Sequence, residues 1–590
     1  MHVVATAGHV DHGKSTLVRA LTGMEPDRWA EERRRGMTID LGFAWTTLAG
    51  GEQLAFVDVP GHERFVPNML AGVGPVPAAL LVVAADEGWM PQTEEHVAVL
   101  DALGIRHAVL AVTRADLADP GPVLDAVRRR LAGTSLAGLT GVAVSAPTGR
   151  GLDELRAALR ELVARLPVPD ADAPVRLWVD RAFTIRGSGT VVTGTLSAGT
   201  LATGAELTLC SAAHGSRPVR VRGLQSLGRP VERASAVARV AVNLRGVDRD
   251  DVRRGDALLA PGRWSTTELV DVHLPGGLPN PTATLVLHLG SAAVPVRVRP
   301  LGERGARLAL RWPLPLAAGD VALLRDPGRH EVVGRLKVLD TDPPPLLRRG
   351  AAAARGRELA ESSGGPPDGT AVLRRRGVVR AAQLRATGAT EPAGAVVAGA
   401  WLVDPALAER LRARLAAAVL EHRRRLPLEP GPTVEAVRAE LELPDRAVVV
   451  GLVAAPLAVR DGRVVDATAP APLPAPVAAA VERLLREFEA QPFGAPDAGR
   501  LAELGLGRRE LAAAERAGAL LRVADGVVLP AGAELRAARI LAEIPQPFTL
   551  SEARQALGTT RRVAVPLLEL LDRRRLTRRL PDDRRTVDAG

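Results

Sequence analysis

The feature that most constrains the fold of this 590-residue chain is the segment GHVDHGKS at residues 8–15. It matches the pattern G-x-x-x-x-G-K-[ST] at every fixed position, and it follows an apolar run, residues 2–7, that is typical of a buried strand. In such a loop, backbone N–H groups and the first turn of the following helix bind phosphates. The segment therefore predicts a nucleotide-binding α/β domain at the start of the chain.

Lysine is almost absent elsewhere, which makes Lys14 within this segment informative. The chain has 77 basic side chains, of which only Lys14 and Lys337 are lysines. A compact ammonium group fits the throat of a phosphate-binding loop, whereas a planar guanidinium is wider. We infer that phosphate binding retained lysine at a position where the composition favours arginine.

Two further segments are predicted to sense a terminal phosphate. DVPGHE, residues 58–63, follows an apolar strand, so that Asp58 can hold Mg²⁺ through water and the Gly61 N–H can bond a γ-phosphate. RRRGMTID, residues 33–40, places Thr38 where a switch loop would complete the Mg²⁺ shell. Contacts that exist only while the γ-phosphate is present are typical of a nucleotide-dependent switch.

The nucleotide base is predicted to lie at the ends of two later strands. Asp116 closes an apolar strand at residues 108–116 and can read the two N–H donors of a guanine edge. VSAPTGRG, residues 144–151, supplies a backbone contact to the base. Helical segments alternate with these strands, which indicates a doubly wound α/β domain over residues 1–170.

Bulk composition narrows the class of protein. Cys210 is the single cysteine, so no intrachain disulfide can form, and a reducing cytoplasm is the expected compartment. We expect neither a membrane span, which needs roughly 18 apolar residues, nor a secretory signal. The net charge of +10 favours a polyanionic partner such as nucleic acid, although a genome that enriches arginine is an equally acceptable explanation.

Short alternating strands replace the α/β pattern after a Pro/Asp-rich linker at residues 167–174. Glycine-bounded strands at this spacing predict a β-barrel at residues 171–262 and a second barrel at residues 263–345. The nucleotide-binding domain is thus expected to be followed by two small all-β domains.

The remaining residues, 346–590, contain an internal repeat. Turns flanked by β-forming residues occur at Asp461, Asp525 and Asp583, at spacings of 64 and 58 residues, and amphipathic helices precede each turn. Helices followed by a hairpin predict tandem, mainly α, winged-helix domains, so the fold class is multidomain: an α/β P-loop domain, two β-barrels and these repeats. With a fainter first copy, the units are residues 346–408, 409–468, 469–532 and 533–590.

The last unit carries the most concentrated positive charge. Residues 551–590 contain ten arginines and six acidic residues. Guanidinium groups stack on unpaired bases and bind phosphates, which suits an RNA hairpin loop better than a duplex groove. A solvated helix face is the alternative interpretation, and winged helices also bind DNA or proteins. The candidate RNA ligands are Arg554, Arg561, Arg562, Arg578 and Arg579.

Taken together, the segments GHVDHGKST, RGMTIDLGF, DVPGHERF and DEGWMPQTEEH resemble translational GTPases of the elongation factor Tu class. GMTIDLGF and DVPGHERF are more similar to the selenocysteine-specific members (SelB) than to elongation factor Tu itself. The resemblance covers the first 345 residues well and the remainder loosely. It implies that the G domain and barrels hold the acceptor end of an aminoacyl-tRNA, and that the terminal winged helix binds an mRNA hairpin next to a UGA codon.

The resemblance also assigns roles in GTP hydrolysis. Lys14 would bind phosphates, and His62 would orient the attacking water. Ser15 and Thr38 would ligate Mg²⁺, and Asp58 would act through water. The residues expected to contact GTP or GDP are Gly8, His9, Val10, Asp11, His12, Gly13, Lys14, Ser15, Thr16, Asp58, Gly61, Thr113, Arg114, Asp116, Ser145 and Ala146.

In this family an apolar gate holds the catalytic histidine back, and Val10 and Met37 occupy the gate positions here. A histidine that positions water and stabilises developing charge contributes roughly 10²–10⁴-fold to the rate. The alternative is that His62 only caps its loop.

The guanine-reading motif departs from the family pattern, because N-K-x-D is replaced by TRAD at residues 113–116. Asp116 is retained, so we expect discrimination of guanine to survive. Thr113 lacks the amide of asparagine, whereas the aliphatic stem of Arg114 can still lie over the base. The departure bears on the strength of guanine binding rather than on the identity of the base.

The resemblance further implies that charged residues of the first barrel surround the aminoacyl group. The candidates are Asp180 and Arg181 in VDRAF and Arg245 in NLRG. A selenol is ionised at neutral pH and a serine hydroxyl is not, so a fixed cation would separate the two by Coulomb energy. The alternative is an exposed ion pair worth under about 1 kcal/mol.

We therefore expect a cytoplasmic, monomeric GTPase that binds GTP or GDP with Mg²⁺. It would deliver selenocysteinyl-tRNA to the ribosome at recoded UGA codons, tethered to an mRNA hairpin by its last winged helix. Hydrolysis would be slow until the ribosome fixes His62 in place. The open alternatives are a general elongation or initiation GTPase, a metabolic GTPase subunit of the sulfate-activation kind, and a DNA-binding regulator with a vestigial P-loop.

Overall fold

The chain forms two compact units, Met1–Val372 with Ala381–Ala393 and Leu373–Arg380 with Gly394–Gly590. Within the part of the chain that the structure describes, no helix is both long enough and apolar enough to cross a membrane. The computed structural model describes residues 1–26, 38–62, 65–74, 76–187, 189–278, 285–329, 331–361, 367–468 and 473–587.

The first unit begins with a six-stranded sheet in the order β2-β3-β1-β4-β5-β6, in which only β2 is antiparallel to its neighbour. Alternate residues of β1 join two separate cores, Val3 and Ala5 on one face and Val4 on the other, so helices cover both faces. The strands are β1 His2–Ala7, β2 Gly42–Thr47, β3 Gln53–Asp58, β4 Ala78–Ala84, β5 His107–Thr113 and β6 Thr140–Ala143. The helices are α1 Lys14–Thr22, α2 Val66–Val73, α3 Pro91–Leu103, α4 Gly121–Leu131 and α5 Leu152–Ala164.

An antiparallel sheet follows, in the order β7-β16-β11-β12-β15-β9-β8, with β13 paired to β12 and a separate pair of β10 and β14. Inward residues such as Leu209, Val221 and Val242 are buried in one core, because strand residues alternate between the two faces of a sheet. The strands are β7 Arg176–Trp178, β8 Arg181–Ile185, β9 Gly189–Leu196, β10 Thr200–Ala202, β11 Glu206–Ser211, β12 Gly215–Ser226, β13 Arg229–Val231, β14 Arg233–Ser235, β15 Ala238–Arg245 and β16 Ala257–Leu259.

The next six strands close into a barrel in the order β17-β20-β19-β18-β21-β22. Its interior is filled by aliphatic side chains such as Val270, Leu308 and Leu324. The strands are β17 Thr266–His273, β18 Leu285–Leu289, β19 Ala292–Pro300, β20 Gly305–Pro315, β21 Val321–Asp326 and β22 Glu331–Asp340.

The segment predicted as a first winged helix, residues 346–408, is divided between the two compact units. Strands β23, β25 and β24 form a small antiparallel sheet in the second unit. The elements of this segment are α6 Ala351–Glu361, α7 Gly369–Arg376, β23 Val378–Arg380, α8 Ala381–Ala386, β24 Val396–Ala398 and β25 Trp401–Val403.

Three helices followed by a hairpin then occur three times, as the sequence repeat predicts. The second helix of each repeat is capped by a side chain at the same position, Thr433, Asp497 or Thr549, which accepts a hydrogen bond from the first turn. The elements are α9 Pro405–Arg425, α10 Val434–Glu440, α11 Arg446–Leu452, β26 Leu457–Arg460 and β27 Arg463–Asp466; α12 Ala475–Ala490, α13 Ala498–Glu503, α14 Arg508–Arg516, β28 Leu520–Ala524 and β29 Val527–Pro530; and α15 Ala533–Ala542, α16 Leu550–Ala556, α17 Arg561–Arg573, β30 Thr577–Arg579 and β31 Arg585–Val587.

The last two repeats share one hydrophobic core. Leu484 and Phe488 of α12 belong to the same buried cluster as Phe548 and Leu567 of the final repeat. The α/β sheet, the two β-domains and the repeated helix–hairpin units together confirm the multidomain fold class predicted from the sequence.

A buried ion cluster fastens α6 to the closed barrel. Arg355 is 5% exposed, and it donates from Nε to Asp271 (2.7 Å) and from Nη2 to Asp340 (2.6 Å). Asp271 is completely buried and also accepts two hydrogen bonds from Arg307 (2.7 and 3.0 Å).

We expect Arg355→Ala to destabilise the first unit by about 3–5 kcal/mol, because removing one partner leaves buried carboxylates poorly compensated. Denaturant unfolding measures the change. Arg357→Ala, an exposed arginine on the same helix, is the matched control and should be close to neutral. Equal effects of the two substitutions would contradict a fastening role for Arg355.

Candidate functional site

Two glycines fix the path of the loop between β1 and α1. Gly8 has a φ of +133°, and a Cβ there would lie 2.1 Å from the carbonyl oxygen of Val82. Gly13, with a φ of +81°, immediately precedes α1. Lys14 is 6% exposed, and its Nζ donates to the carbonyl oxygens of Gly8 (3.0 Å) and His9 (2.6 Å). The ammonium group thus lies across the loop, where it can neutralise a phosphate.

Three predicted Mg²⁺ ligands meet, although they are far apart in the sequence. The Ser15 hydroxyl donates to Oδ2 of Asp58 (2.7 Å) and lies 2.9 Å from Oγ1 of Thr38. The other oxygen of Asp58 accepts from Thr6 (2.7 Å), and Asp58 is completely buried. Hydroxyl and carboxylate oxygens are the donors that Mg²⁺ prefers, so this cluster fits the expected ion.

Gly61 lies directly against the phosphate loop. A Cβ at this position would be 2.5 Å from both Nζ of Lys14 and the backbone nitrogen of Val10, so the loop leaves no room for a side chain. His62 is the next residue along the chain. Of the two predicted gate residues, Val10 is therefore next to Gly61, whereas Met37 lies outside the described residues.

The base-reading segments end neighbouring strands, because β5 pairs with β6. Thr113 connects them to the phosphate loop by donating from Oγ1 to the carbonyl oxygen of His12 (2.8 Å). Asp116 is exposed, Ser145 is buried and Ala146 is partly exposed. The shorter Thr113 thus still links β5 to the loop, and Asp116 is open to a ligand.

Arg114 is anchored away from its own strand. Its φ is +55°, and Nη1 donates to Asp86 (2.8 Å) and Glu87 (2.7 Å). Nη2 donates to the carbonyl oxygen of Asp11 (2.5 Å). The guanidinium therefore joins the loop after β4 to the phosphate loop.

Two residues of α3 support the phosphate loop, and the sequence analysis did not identify them. His96 accepts the Gly8 N–H at Nδ1 (3.0 Å), and Gln92 accepts the Val10 N–H at Oε1 (3.1 Å). They lie four residues apart, on one face of α3. The only signal in the sequence was this pair of polar residues in DEGWMPQTEEH. Burial lowers the pKa of His96 to about 3, so the imidazole stays neutral and can accept the hydrogen bond.

The aminoacyl candidates Asp180 and Arg181 lie where the first barrel meets the G domain. Asp180 is 6% exposed and is ion-paired with Arg239, whose Nη2 donates to Oδ1 (2.8 Å). Arg181 donates to Asp40 (3.0 Å). A cavity of about 170 Å³ is lined by Arg181, Arg239 and Phe43, among others, and the Arg239 guanidinium lies 3.7 Å from the centre of the Phe43 ring.

Arg239 is a candidate that the sequence analysis missed, because nothing in the strand ARVAVNLR distinguishes it from the other arginines of this domain. Arg245 is exposed at the end of the same strand and is not among the residues lining the cavity. Among the described residues that line the cavity, two are cations, and of these only Arg181 was predicted.

The predicted RNA ligands are spread over three elements of the last winged helix. Arg562 differs from the others, because its Nη2 donates to the carbonyl oxygens of Ala495 (2.8 Å) and Pro496 (2.9 Å) in the preceding winged helix. The other four are Arg554 on α16, Arg561 at the start of α17, and Arg578 and Arg579 on β30.

We expect the free energy of unfolding to decrease as the pH is lowered below about 6.5. The pKa of His96 is depressed from 6.5 to about 3, so the unfolded chain binds more protons in this interval, and stability is lost at up to about 1.4 kcal/mol per pH unit. His96→Asn, which keeps an acceptor near the Nδ1 position but cannot titrate, should reduce this slope. The remaining slope comes from His12 and His288, whose pKa values burial also lowers to about 4. Urea unfolding at several pH values measures it, with the exposed His214→Asn as control. An unchanged slope in His96→Asn would contradict the assignment.

Three family profiles match the chain. The elongation factor Tu GTP binding domain matches residues 1–165, and elongation factor Tu domain 2 matches residues 189–259. The winged helix of elongation factor SelB matches residues 539–586.

Several similar proteins have a known role in translation. The selenocysteine-specific elongation factor of Escherichia coli (strain K12) is 36% identical over 472 residues, 76% of this chain and 75% of the relative. That of Desulfomicrobium baculatum is 45% identical over 285 residues, 47% of this chain and 44% of the relative. Elongation factor Tu 2 of Streptomyces avermitilis is 36% identical over 313 residues, 48% of this chain and 79% of the relative.

Solved structures share the fold. The crystal structure of a bacterial selenocysteine-specific elongation factor, EF-Sec, matches with a TM-score of 0.80 over 100% of both chains at 24% identity. SelB from Methanococcus maripaludis, in complex with the GTP analogue GppNHp, matches with a TM-score of 0.51 at 25% identity, over 58% of this chain and 79% of that one. Since the Escherichia coli relative matches over 75% of its own length, the chain belongs to the selenocysteine-specific elongation factor family of translational GTPases.

Proposed function

We propose that this chain carries selenocysteinyl-tRNA to ribosomes at recoded UGA codons and hydrolyses GTP to release it. One observation carries the proposal: a SelB-type winged helix at residues 539–586 follows a G domain in which Lys14, Ser15 and Asp58 are assembled around a phosphate loop. The first part suits a nucleotide-dependent switch and the second suits an RNA tether.

In the G domain, Lys14 neutralises the β- and γ-phosphates, and the Gly61 N–H bonds the γ-phosphate. Mg²⁺ would be held by the hydroxyls of Ser15 and Thr38 and, through water, by Asp58, and it would stabilise negative charge on the phosphates. The γ-phosphate would hold Thr38 and Gly61 against the phosphate loop, and its hydrolysis would release them. Asp116, Ser145 and the other predicted base contacts select guanine.

In the cavity between the G domain and the first barrel, Arg181 and Arg239 supply the positive charge that favours an ionised selenol over a serine hydroxyl. The carboxylate of Asp180 accepts a hydrogen bond from Arg239 Nη2 (2.8 Å) and holds that guanidinium in place, which supports the assignment of Asp180 to this pocket. Arg245 remains a candidate for a contact outside the cavity.

The last winged helix binds the mRNA hairpin through Arg554, Arg561, Arg578 and Arg579. The carbonyl contacts of Arg562 favour a role in joining the last two winged helices instead. We further propose that the chain acts as a cytoplasmic monomer, and that its first three domains have the predicted limits, residues 1–170, 171–262 and 263–345. A sulfate-activation GTPase or a general elongation factor would have no use for three winged helices, so neither alternative is favoured.

We expect His62→Ala to lower ribosome-stimulated GTP hydrolysis by about 10²–10⁴-fold, because the attacking water loses its positioning group. GTP affinity should stay near the wild-type value. Single-turnover hydrolysis with and without ribosomes measures both points, with His214→Ala as the matched control. Full-rate hydrolysis by the wild-type chain alone would contradict the proposed ribosome dependence.

We expect the full chain to retard a short hairpin taken from selenoprotein mRNA in a gel-shift assay, with an affinity that falls steeply with salt. Arg561→Ala and Arg578→Ala should each cost about 1–3 kcal/mol of binding free energy if they contact bases, or lower the salt slope by about 1 if they contact phosphates. Arg536→Ala, an exposed arginine on α15, is the control. A chain that binds no hairpin would remove the recoding role and leave the GTPase assignment intact.

A further inference from the structure

Asp40 joins the nucleotide side of the G domain to the first barrel. It lies two residues after Thr38, whose hydroxyl is 2.9 Å from Ser15. Its carboxylate accepts from two barrel arginines, Arg254 (2.5 Å) and Arg181 (3.0 Å). Because Thr38 is a proposed Mg²⁺ ligand, any change in its position reaches both arginines through a very short stretch of chain.

Arg254 contacts three separate elements with one guanidinium. In addition to Asp40, it donates from Nη1 to Asn68 of α2 (2.5 Å) and from Nε to the carbonyl oxygen of Asp180 (2.8 Å). Asn68 in turn donates to the carbonyl oxygen of Ile39 (2.9 Å). Arg254 therefore connects the segment after Thr38 and the helix after Gly61 to the barrel.

The same contacts reach the aminoacyl cavity. Arg181 lines the cavity and is paired with Asp40. The carbonyl oxygen of Asp180 accepts a hydrogen bond from Arg254, and its carboxylate is paired with Arg239, which also lines the cavity. The side chains of Asp40, Arg181 and Arg254 are 20–30% exposed, so water and salt screen these ion pairs less than pairs on an open surface.

We propose that Asp40 and Arg254 are positioning residues that couple the nucleotide state to the affinity of the aminoacyl pocket. The inference rests on the proposed function and adds a mechanism of regulation to it. With GTP bound, Asp40 holds Arg181 and Arg254 in the arrangement described above. When the segment that carries Thr38 leaves the phosphate site, Asp40 leaves with it. Arg181 and Arg254 are then no longer held in that arrangement, and the pocket loses its shape.

The test compares Asp40→Asn with the wild-type full chain. The dissociation constant of selenocysteinyl-tRNA is measured with a non-hydrolysable GTP analogue and with GDP, by protection of the aminoacyl ester from hydrolysis. The ratio of the two constants should fall by about tenfold or more in the variant, within the range typical of coupling between two sites. Affinities for GDP and for the GTP analogue themselves should change little, since Asp40 is held by two barrel arginines and is not among the proposed phosphate, Mg²⁺ or base ligands.

Two further variants keep the test decisive. Asp251→Asn breaks another barrel ion pair, with Arg217 (2.7 Å), and should leave the ratio unchanged. Arg254→Gln should lower the ratio as Asp40→Asn does, and the double variant should be little worse than either single one, because both remove the same connection. Equal weakening of both nucleotide states in Asp40→Asn, or an unchanged ratio, would overturn the inference. Failure of the wild-type chain to bind selenocysteinyl-tRNA at all would instead overturn the proposed function.

Discussion

The site depends on a carboxylate that is fully removed from water. Asp58 ends a central strand, and a buried charge of this kind is tolerated only when its oxygens have partners. Those partners are Thr6 on the neighbouring strand and Ser15 on the first helix, with Thr38 beside Ser15. One charge therefore brings together segments that are distant in sequence. Asp40, two residues after Thr38, extends this set of contacts to two arginines of the barrel.

Local patterns were enough to predict most of the architecture. The glycines and lysine of the phosphate loop, the alternation of strands and the repeated turns near Asp461 and Asp583 each determine their own backbone geometry, with positive φ at both aspartates. Long-range contacts could not be predicted in this way. The support that His96 and Gln92 give to the loop depends on where α3 packs, and sequence spacing does not contain that information.

The candidate pocket shows the same limit. Asp180 and Arg181 could be nominated from a resemblance. Arg239 could be identified only from the structure, in which β15 pairs with β9 and brings Arg239 to Asp180. Arginine also makes contacts that lysine could not, since one planar group with five N–H donors can satisfy several acceptors at once. Arg254 and Arg355 are examples, and both lie where separate parts of the first unit meet.

The core shared by the last two winged helices has a mechanical consequence. Phe488 and Phe548 are buried in one cluster, and Arg562 and Thr559 donate across the junction to backbone carbonyl groups. The shared core and these hydrogen bonds therefore resist bending between the two repeats, which behave as one rigid body. A group bound to the last repeat is therefore held in a fixed orientation relative to the preceding repeat, without the entropic cost of ordering a flexible joint.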